Sequence, residues 1–412
     1  MNKKTYHVLD TSVLIDDPFC LSKFKNIQIP IDVLEELDKL KTFPGKVGQN
    51  ARIAIKEIDK KKDSIIFDIK KNKNSLSDIP DNRILASALA LQKAQKTARI
   101  ILISKDFNLR LKAKVNGLEA QDYFEVSDVS DLYKGFREIK NDELNKTLFE
   151  TQFGPLPKEL NDLNPNEYVL VSGAESAIAL CKKAKNQLQM LPMNKKIWGL
   201  DSKNKEQALA FDLLTNDKIP LVTLVGKAGC GKSLCALAAG LEKVILEKKY
   251  QTLIVYRPIQ PVGNDIGYLP GNLEEKILPW MGPIMDNMEV LLNKSGGKSW
   301  ETTLGSYQDS GRIKFEAMTY IRGRSINNAF VIFDEIQNLD QEQVKTVLTR
   351  VGFNTKIVFT GDIEQIDRND LDSLNNGLTH VIEKFKNESL AGHLTLMKGE
   401  RSALATLASK KL

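Results

Sequence analysis

Residues 221–241 read LVTLVGKAGCGKSLCALAAGL. An apolar run of strand length ends at Gly226, a glycine-rich turn follows, and Lys232-Ser233 opens an alanine-rich stretch of helical composition. The spacing is G-x-x-x-x-G-K-S, and a strand before it with a helix after it is the context that gives the motif its chemistry. Gly226, Lys227, Ala228, Gly229, Cys230 and Gly231 form a loop whose backbone N–H groups converge on phosphate oxygens at a helix N-terminus. Lys232 places a point charge on the β- and γ-phosphates, and Ser233 offers its hydroxyl to Mg²⁺. Strand, loop and helix in this order predict a parallel α/β sheet and an ATP site.

Working outward, the sheet should supply a second element to hold the metal. Residues 329–335, AFVIFDE, end an apolar strand in Asp334 and Glu335. Asp334 is positioned to reach Mg²⁺, and Glu335 to orient or deprotonate the attacking water. A third strand end, KIVFTGDIEQID at 356–367, brings Thr360, Gly361, Asp362 and Gln365 beside the nucleotide, where Gln365 can respond to the γ-phosphate. This G-D-x-x-Q arrangement resembles motif III of superfamily 1 helicases. Upstream, NKEQALAFDLL (204–214) places Gln207 ahead of the loop, as in helicases that hold the adenine edge with a glutamine.

Three further stretches carry a closer resemblance. RPIQPVGNDIGYLPG (257–271), IRGRSINNAFVIFDEIQN (321–338) and FTGDIEQID (359–367) resemble the PhoH family of ATPases, over about residues 198–412. Only 47 residues follow Gln365, too few for a second RecA-like domain. In two-domain helicases the second domain supplies an arginine to the γ-phosphate, worth roughly 10³- to 10⁵-fold in turnover. The expectation is therefore an arginine from a neighbouring copy and a homo-oligomeric ring, most simply a hexamer. Arg257, Arg322, Arg324 and Arg401 are the candidates, and each could equally be a surface ion pair. Tyr256, Tyr268 and Trp280 could stack bases, with core packing favoured for Trp280.

The N-terminal third has another character. Residues 1–140 hold 26 Lys/Arg against 20 Asp/Glu, and the remaining 272 residues hold 33 of each, so the whole net charge of +6 lies at one end. A solvated lysine surface explains such a run, and so does a path for nucleic-acid phosphates. YHVLD (6–10), IQIPI (27–31), SIIFDI (64–69) and ARIILIS (98–104) read as strands. IDVLEELDKLK (31–41) and DNRILASALALQKAQ (81–95) read as helices by their apolar spacing. Four acids stand at element boundaries: Asp10, Glu36, Asp81 and Asp106. Singly, each has a plain structural use as a cap, a turn residue or a solvated side chain. Jointly they converge where strand ends of a parallel sheet collect ligands. Four carboxylates so placed repel one another, and divalent cations, Mg²⁺ or Mn²⁺, relieve that repulsion and serve phosphodiester hydrolysis.

This pattern resembles the PIN-domain ribonucleases. LDTSVLIDD (9–17), VLEELDKLK (33–41), DNRILA (81–86) and LISKDFNLRLKA (102–113) match the regions of that family's motifs. The resemblance implies that Asp10, Glu36, Asp81 and Asp106 bind metal and that Ser12 and Ser104 support them. Glu35 competes with Glu36, which is preferred because Leu37 follows it.

Between the two halves, FGPLPKELNDLNPNEY (153–168) reads as linker from its Pro and Asn content, and YVLVSG, SAIALCK and QLQML follow as a small antiparallel meander. The fold class is α/β throughout: a PIN-like nuclease domain at 1–135, a linker or small β adaptor at 136–197, and a RecA-like P-loop NTPase domain at 198–412. Cys20, Cys181, Cys230 and Cys235 are scattered, which argues against zinc or disulfides. No apolar run approaches a membrane span and MNKKTYHVLD lacks a signal-peptide core, so the expected location is cytoplasmic. Together the halves resemble PIN–PhoH fusion proteins, which implies an ATP-dependent RNA helicase that also cuts RNA. The alternative is an ATP-driven RNA-binding remodeller whose acidic site does not cleave.

Overall fold

The structure, a computed structural model, describes residues 4–68, 79–121, 123, 129–174, 177–258, 278–293, 299–321, 325–368 and 371–399. The chain divides into two compact units, Met1–Ser127 and Asp128–Leu412.

In the first unit, β1 (Thr5–Leu9), β2 (Ile27–Pro30), β3 (Ile65–Asp68), β4 (Arg99–Ile103) and β5 (Glu119–Gln121) form one sheet. Its order is β3-β2-β1-β4-β5 and every pair is parallel. Covered on both faces, these strands read as continuous apolar runs rather than alternating ones. Helices Ile31–Leu40 and Pro80–Ala94 fall where their periodicity places them. The helix Gly45–Lys60 was not legible, because its buried positions Ala51, Ala54 and Ile58 are mostly small and its remaining residues are charged or polar. The strand order reverses between β1 and β4, so a crevice opens at their carboxyl ends.

The second unit holds a five-stranded sheet of β6 (Phe136–Lys140), β7 (Phe153–Pro155), β8 (Tyr168–Ser172), β9 (Ile178–Ala184) and β10 (Gln187–Met190). Its order is β6-β8-β9-β10-β7. The meander β8-β9-β10 is antiparallel as expected, while β6 adds in parallel. The stretch 153–168 corrects its reading as linker: it contributes β7, and Leu160 and Leu163 are buried with Val169 and Val171. On the other face of β8, Tyr168 and Leu170 pack into the core that holds Leu209 and Phe211. The Tyr168 hydroxyl donates to Asp212 at 2.9 Å. The sheet is therefore seated on the helix Lys205–Thr215 that carries Gln207.

After a short ribbon of β11 (Lys196–Ile197) and β12 (Leu200–Asp201), the P-loop sheet follows. It contains β13 (Leu221–Gly226), β14 (Thr252–Arg257), β15 (Ile313–Ala317), β16 (Ala329–Phe333), β17 (Lys356–Gly361) and β18 (Ala391–Leu396). The order is β15-β14-β16-β17-β13-β18, all parallel. β13, β16 and β17 are the strands on which the three motifs were read. β18 is not legible in the sequence, because its polar residues Thr395 and His393 interrupt the apolar pattern.

Two buried polar side chains in this sheet make testable claims on stability. Lys356 is fully buried, and its Nζ donates to the carbonyls of Leu213, Asn216 and Ile219 at 3.1, 2.8 and 2.7 Å. The Leu213 and Asn216 carbonyls also accept the backbone N–H groups of Asn216 and Ile219, so the ammonium adds a second bond to each and ties the turn after the helix Lys205–Thr215 to β17. Lys356→Met removes all three of these bonds and is expected to lower unfolding free energy by about 3 kcal/mol. A shift below about 1 kcal/mol in urea titration would contradict this role.

His393 lies between Thr223 Oγ1 (2.8 Å) and Thr395 Oγ1 (3.0 Å), and burial pushes its pKa down to about 3. The unfolded chain takes up a proton at that residue near pH 6.5, whereas the folded chain resists it until about pH 3. Its contribution is thus present above pH 6.5 and is lost as pH falls toward 3. Between pH 7 and 5 the wild type should lose about 2 kcal/mol more than His393→Asn. Parallel curves for the two proteins would refute this.

Candidate functional sites

In the first unit, the reversal between β1 and β4 places Asp10 and Ser104 at neighbouring strand ends. Asp10 is buried and caps the helix Thr11–Asp16. It accepts from Thr11 N at 2.7 Å, from the Ser12 hydroxyl at 2.5 Å and from the Ser104 hydroxyl at 2.7 Å. The Ser104 oxygen accepts from Asp106 N at 2.9 Å, and the Ser12 oxygen from Lys105 N at 3.1 Å. Two hydroxyls thus lock the β1 end to the β4 end. Asp106 caps the helix Phe107–Val115, accepting from the N–H groups of Asn108 and Leu109. Glu36 is joined to the same group by a hydrogen bond from the Thr11 hydroxyl. Asp81 is the second residue of its helix, after Pro80, so it does not serve as the N-cap. Its pKa is raised by burial, then by the charges of Asp106 and Asp10.

Among the described residues, no three His, Cys, Asp or Glu side chains are already drawn into a metal cage. The donor set nonetheless suits a hard divalent cation. It consists of oxygens only, and the repulsion felt by Asp81 is the kind a cation removes. Thr11, whose hydroxyl bridges to Glu36, is a participant that sequence reading missed.

In the second unit, a cavity of about 300 Å³ is lined by Gln207, Ala228, Gly229, Gly231, Lys232, Ser233, Glu335, Asp362 and Gln365, among others. Of the residues expected around ATP, these line the cavity, while Gly226, Lys227, Cys230 and Asp334 do not and Arg401 lies outside the described residues. The ends of β13 and β17 are in register at Val225 and Gly361, which brings the loop and the third strand end together. Gly231 adopts φ +92°, and a Cβ there would stand 2.9 Å from Gln207 Nε2. That amide donates to the Cys230 carbonyl at 3.1 Å, so Gln207 braces the loop from its buried position. Lys232 Nζ donates to the carbonyls of Gly226 and, at 3.2 Å, Lys227. Ser233 Oγ donates to Asp334 at 2.7 Å, and Thr360 Oγ1 donates to the same carboxylate oxygen. Asp362 accepts from Ala228 N at 3.0 Å.

Glu335 sits in the left-handed region at φ 58°, a conformation that costs a non-glycine residue about 1 kcal/mol and that clusters at functional sites. Burial and the neighbouring Asp334 raise its pKa, while its bond to Gln337, Arg257 and Lys232 oppose them. Gln337, which sequence reading left without a role, is the hub. Its Nε2 donates to Glu335 at 2.6 Å and to the Gln365 carbonyl at 2.9 Å, and its Oε1 accepts from Asp362 N at 3.1 Å. A Cβ at Gly361 would stand 2.5 Å from that oxygen, which explains the glycine.

Other expectations change. Arg257, considered as a finger toward another copy, faces its own chain's acids, 3.8 Å from Asp334 and 3.7 Å from Glu335. Tyr256 is buried, stacked on Phe333 and bonded to Glu316, so it is not free to stack a base. Tyr268, Arg322, Arg324 and Arg401 lie outside the described residues, as does most of 257–271. All four cysteines are buried and unpaired. No helix among the described residues is long and apolar enough to cross a membrane.

Comparison with known proteins agrees with this division. The family model described as PhoH-like protein matches residues 199–407, and a PIN domain model matches residues 7–124. Protein PhoH2 of Bacillus subtilis is 42% identical over 98% of this chain and 99% of its own length. Protein PhoH2 of Thermobispora bispora is 33% identical over 99% of this chain and 96% of its own. Protein PhoH of Escherichia coli is 34% identical over 45% of this chain and 50% of its own. With a P-loop unit built around Lys232 and Asp334 and a PIN domain ahead of it, the chain belongs to the PhoH family, in the form that PhoH2 proteins share along their full length.

Proposed function

We propose that this protein is an ATP-dependent RNA helicase or translocase that delivers RNA to a metal-dependent endoribonuclease site on the same chain. The observation that carries the reading is the single cavity uniting the P-loop with Gln207, Glu335, Asp362 and Gln365. A cavity of this size suits a nucleotide, and its lining combines a lysine, a hydroxyl and carboxylates of the kinds that phosphoryl transfer uses. Residues 1–135 would act as nuclease, 136–197 as an adaptor braced on the motor, and 198–412 as the motor. The choice of RNA over DNA rests on family resemblance.

In the motor, Lys232 and the loop N–H groups from Lys227 to Gly231 hold the phosphates. Ser233 and Asp334 would hold Mg²⁺, which would supply neutralisation of phosphate charge. Glu335 orients the attacking water and accepts its proton. Gln365 meets the γ-phosphate, and Gln337 ties it to Glu335 and Asp362, so loss of that phosphate is felt at all three. The described residues contain one RecA-like sheet, so the reading includes an arginine from a neighbouring copy and a ring, simplest as a hexamer.

In the nuclease, Asp10, Glu36, Asp81 and Asp106 would hold Mg²⁺ or Mn²⁺, which lowers the pKa of a water nucleophile and stabilises charge on the phosphate. Ser12 and Ser104 fix Asp10 in orientation. The test is an end-labelled RNA with single-stranded and duplex parts, incubated with divalent metal, with and without ATP. Cleavage in the single strand that extends into the duplex only with ATP is the expected result. ATP hydrolysis with no cleavage under any condition would leave a remodeller.

A further inference from the structure

The acidic site of the first unit has an apolar rim that its proposed chemistry does not use. Phe107 follows Asp106 directly and is 66% exposed. Ile79, two residues before Asp81, is 52% exposed. Along the helix Phe107–Val115, Leu111 and Val115 are also exposed, continuing from Phe107 at four-residue spacing, so one apolar stripe faces outward. Leu109 and Ala113 already supply the buried face. An exposed phenyl ring at a site rim costs solubility and contributes nothing to the core.

Along this helix every charge is positive, while the acids Asp10, Asp81 and Asp106 lie at its N-terminal end. The helix carries Arg110, Lys112 and Lys114 and no carboxylate. Arg110 is held in place: it donates to the Ser104 carbonyl at 2.8 Å, and its guanidinium carbon lies 5.9 Å from the centre of the Phe107 ring. Lys112 Nζ donates to Asn82 Oδ1 at 3.0 Å, linking this helix to the one that carries Asp81. A second copy docking here would set these cations against their equals. A flexible polyanion bearing flat rings complements both the cations and the phenyl face.

We infer that Phe107 is a stacking platform for an unpaired base of a single-stranded nucleic acid, with the phosphates beside that base tracking Arg110, Lys112 and Lys114. The neighbouring phosphate is thereby directed to Asp10, Asp81 and Asp106, a consequence that rests on the nuclease reading above. Every base has a π face, so the platform selects single strands over duplex without selecting sequence.

The experiment uses the full chain with Phe107→Trp, in EDTA so that no strand is cut. The probes are a 12-nucleotide oligouridylate and an abasic oligonucleotide of equal length. The emission difference between Phe107→Trp and wild type should be quenched by the oligouridylate and not by the abasic strand. In metal, Phe107→Leu should raise KM for single-strand cleavage roughly 5- to 100-fold with little change in kcat, while Phe107→Trp keeps the wild-type KM. Equal quenching by both strands, or a wild-type KM in Phe107→Leu, overturns the platform and leaves the nuclease reading intact. Base-dependent quenching in a protein that never cleaves retains the platform and sinks the nuclease reading. Altered self-association in Phe107→Leu with unchanged RNA affinity would reassign the stripe to a contact between copies and overturn the inference.

Discussion

Asp10→Asn is expected to lower RNA cleavage by at least ~10³-fold, equivalent to about 4 kcal/mol of transition-state stabilisation, and to leave ATP turnover unchanged. Asp10 is buried at a strand end and receives three hydrogen bonds, from Thr11 N and the hydroxyls of Ser12 and Ser104. Those donors hold it fixed in orientation, which is what a metal-binding carboxylate requires. Asparagine retains an oxygen to cap Thr11 N, and Asn and Asp cap helices about equally well. The variant should therefore stay folded, with a thermal midpoint close to wild type, and the lost activity would report the missing charge. Cleavage within tenfold of wild type would remove Asp10 from the chemistry and reduce the hydroxyl network around it to a strand-end clasp.

The complementary variant, Lys232→Ala, should reduce ATP turnover by roughly 10²- to 10³-fold and stop unwinding, while unstructured RNA is cut at the wild-type rate. Lys232 is buried within the loop, and its Nζ lies on the carbonyls of Gly226 and Lys227. Alanine removes the cation that faces the β- and γ-phosphates and also the clasp on those carbonyls. The loop keeps two other braces, Gln207 on the Cys230 carbonyl and Asp362 on Ala228 N, so the fold around it should survive. Steady-state phosphate release measures the first effect and strand displacement the second. Turnover within about threefold of wild type would mean that the cavity does not hydrolyse ATP through this lysine. Loss of cleavage on unstructured RNA would mean that the nuclease depends on the motor for more than delivery.

How much of each site was legible depended on how local its signal is. Gly226, Gly231, Lys232 and Ser233 lie in one short run, so their chemistry could be read from spacing. Asp334 and Asp10 each end an apolar strand, which marks them with equal clarity. Gln337 carried no such mark: its role arises because its amide reaches Asp362 N, 25 residues away, and the Gln365 carbonyl, 28 residues away. Arg257 looked available to a neighbouring copy because its strand end is all that sequence displays, whereas the direction of its side chain depends on β16 lying beside β14. Tyr256 was offered as a base stacker until packing on Phe333 removed it from the surface. The 153–168 stretch read as linker because proline and asparagine dominate it, but Leu160 and Leu163 supply enough apolar surface to tie it down.

Sequence by itself determined the family resemblance of each half and the α/β class, since both are carried by short motifs at the ends of recognisable strands. Tertiary structure decided which atoms meet directly. Ser104 was brought to Asp10 across 94 residues and Ser233 to Asp334 across 101. It also decided the exposure of Phe107 and the burial of Lys356. The physical reason is that a hydrogen bond or a buried face is a relation between segments, and strand order in a parallel sheet, which sets those relations, is written in no single stretch of the chain.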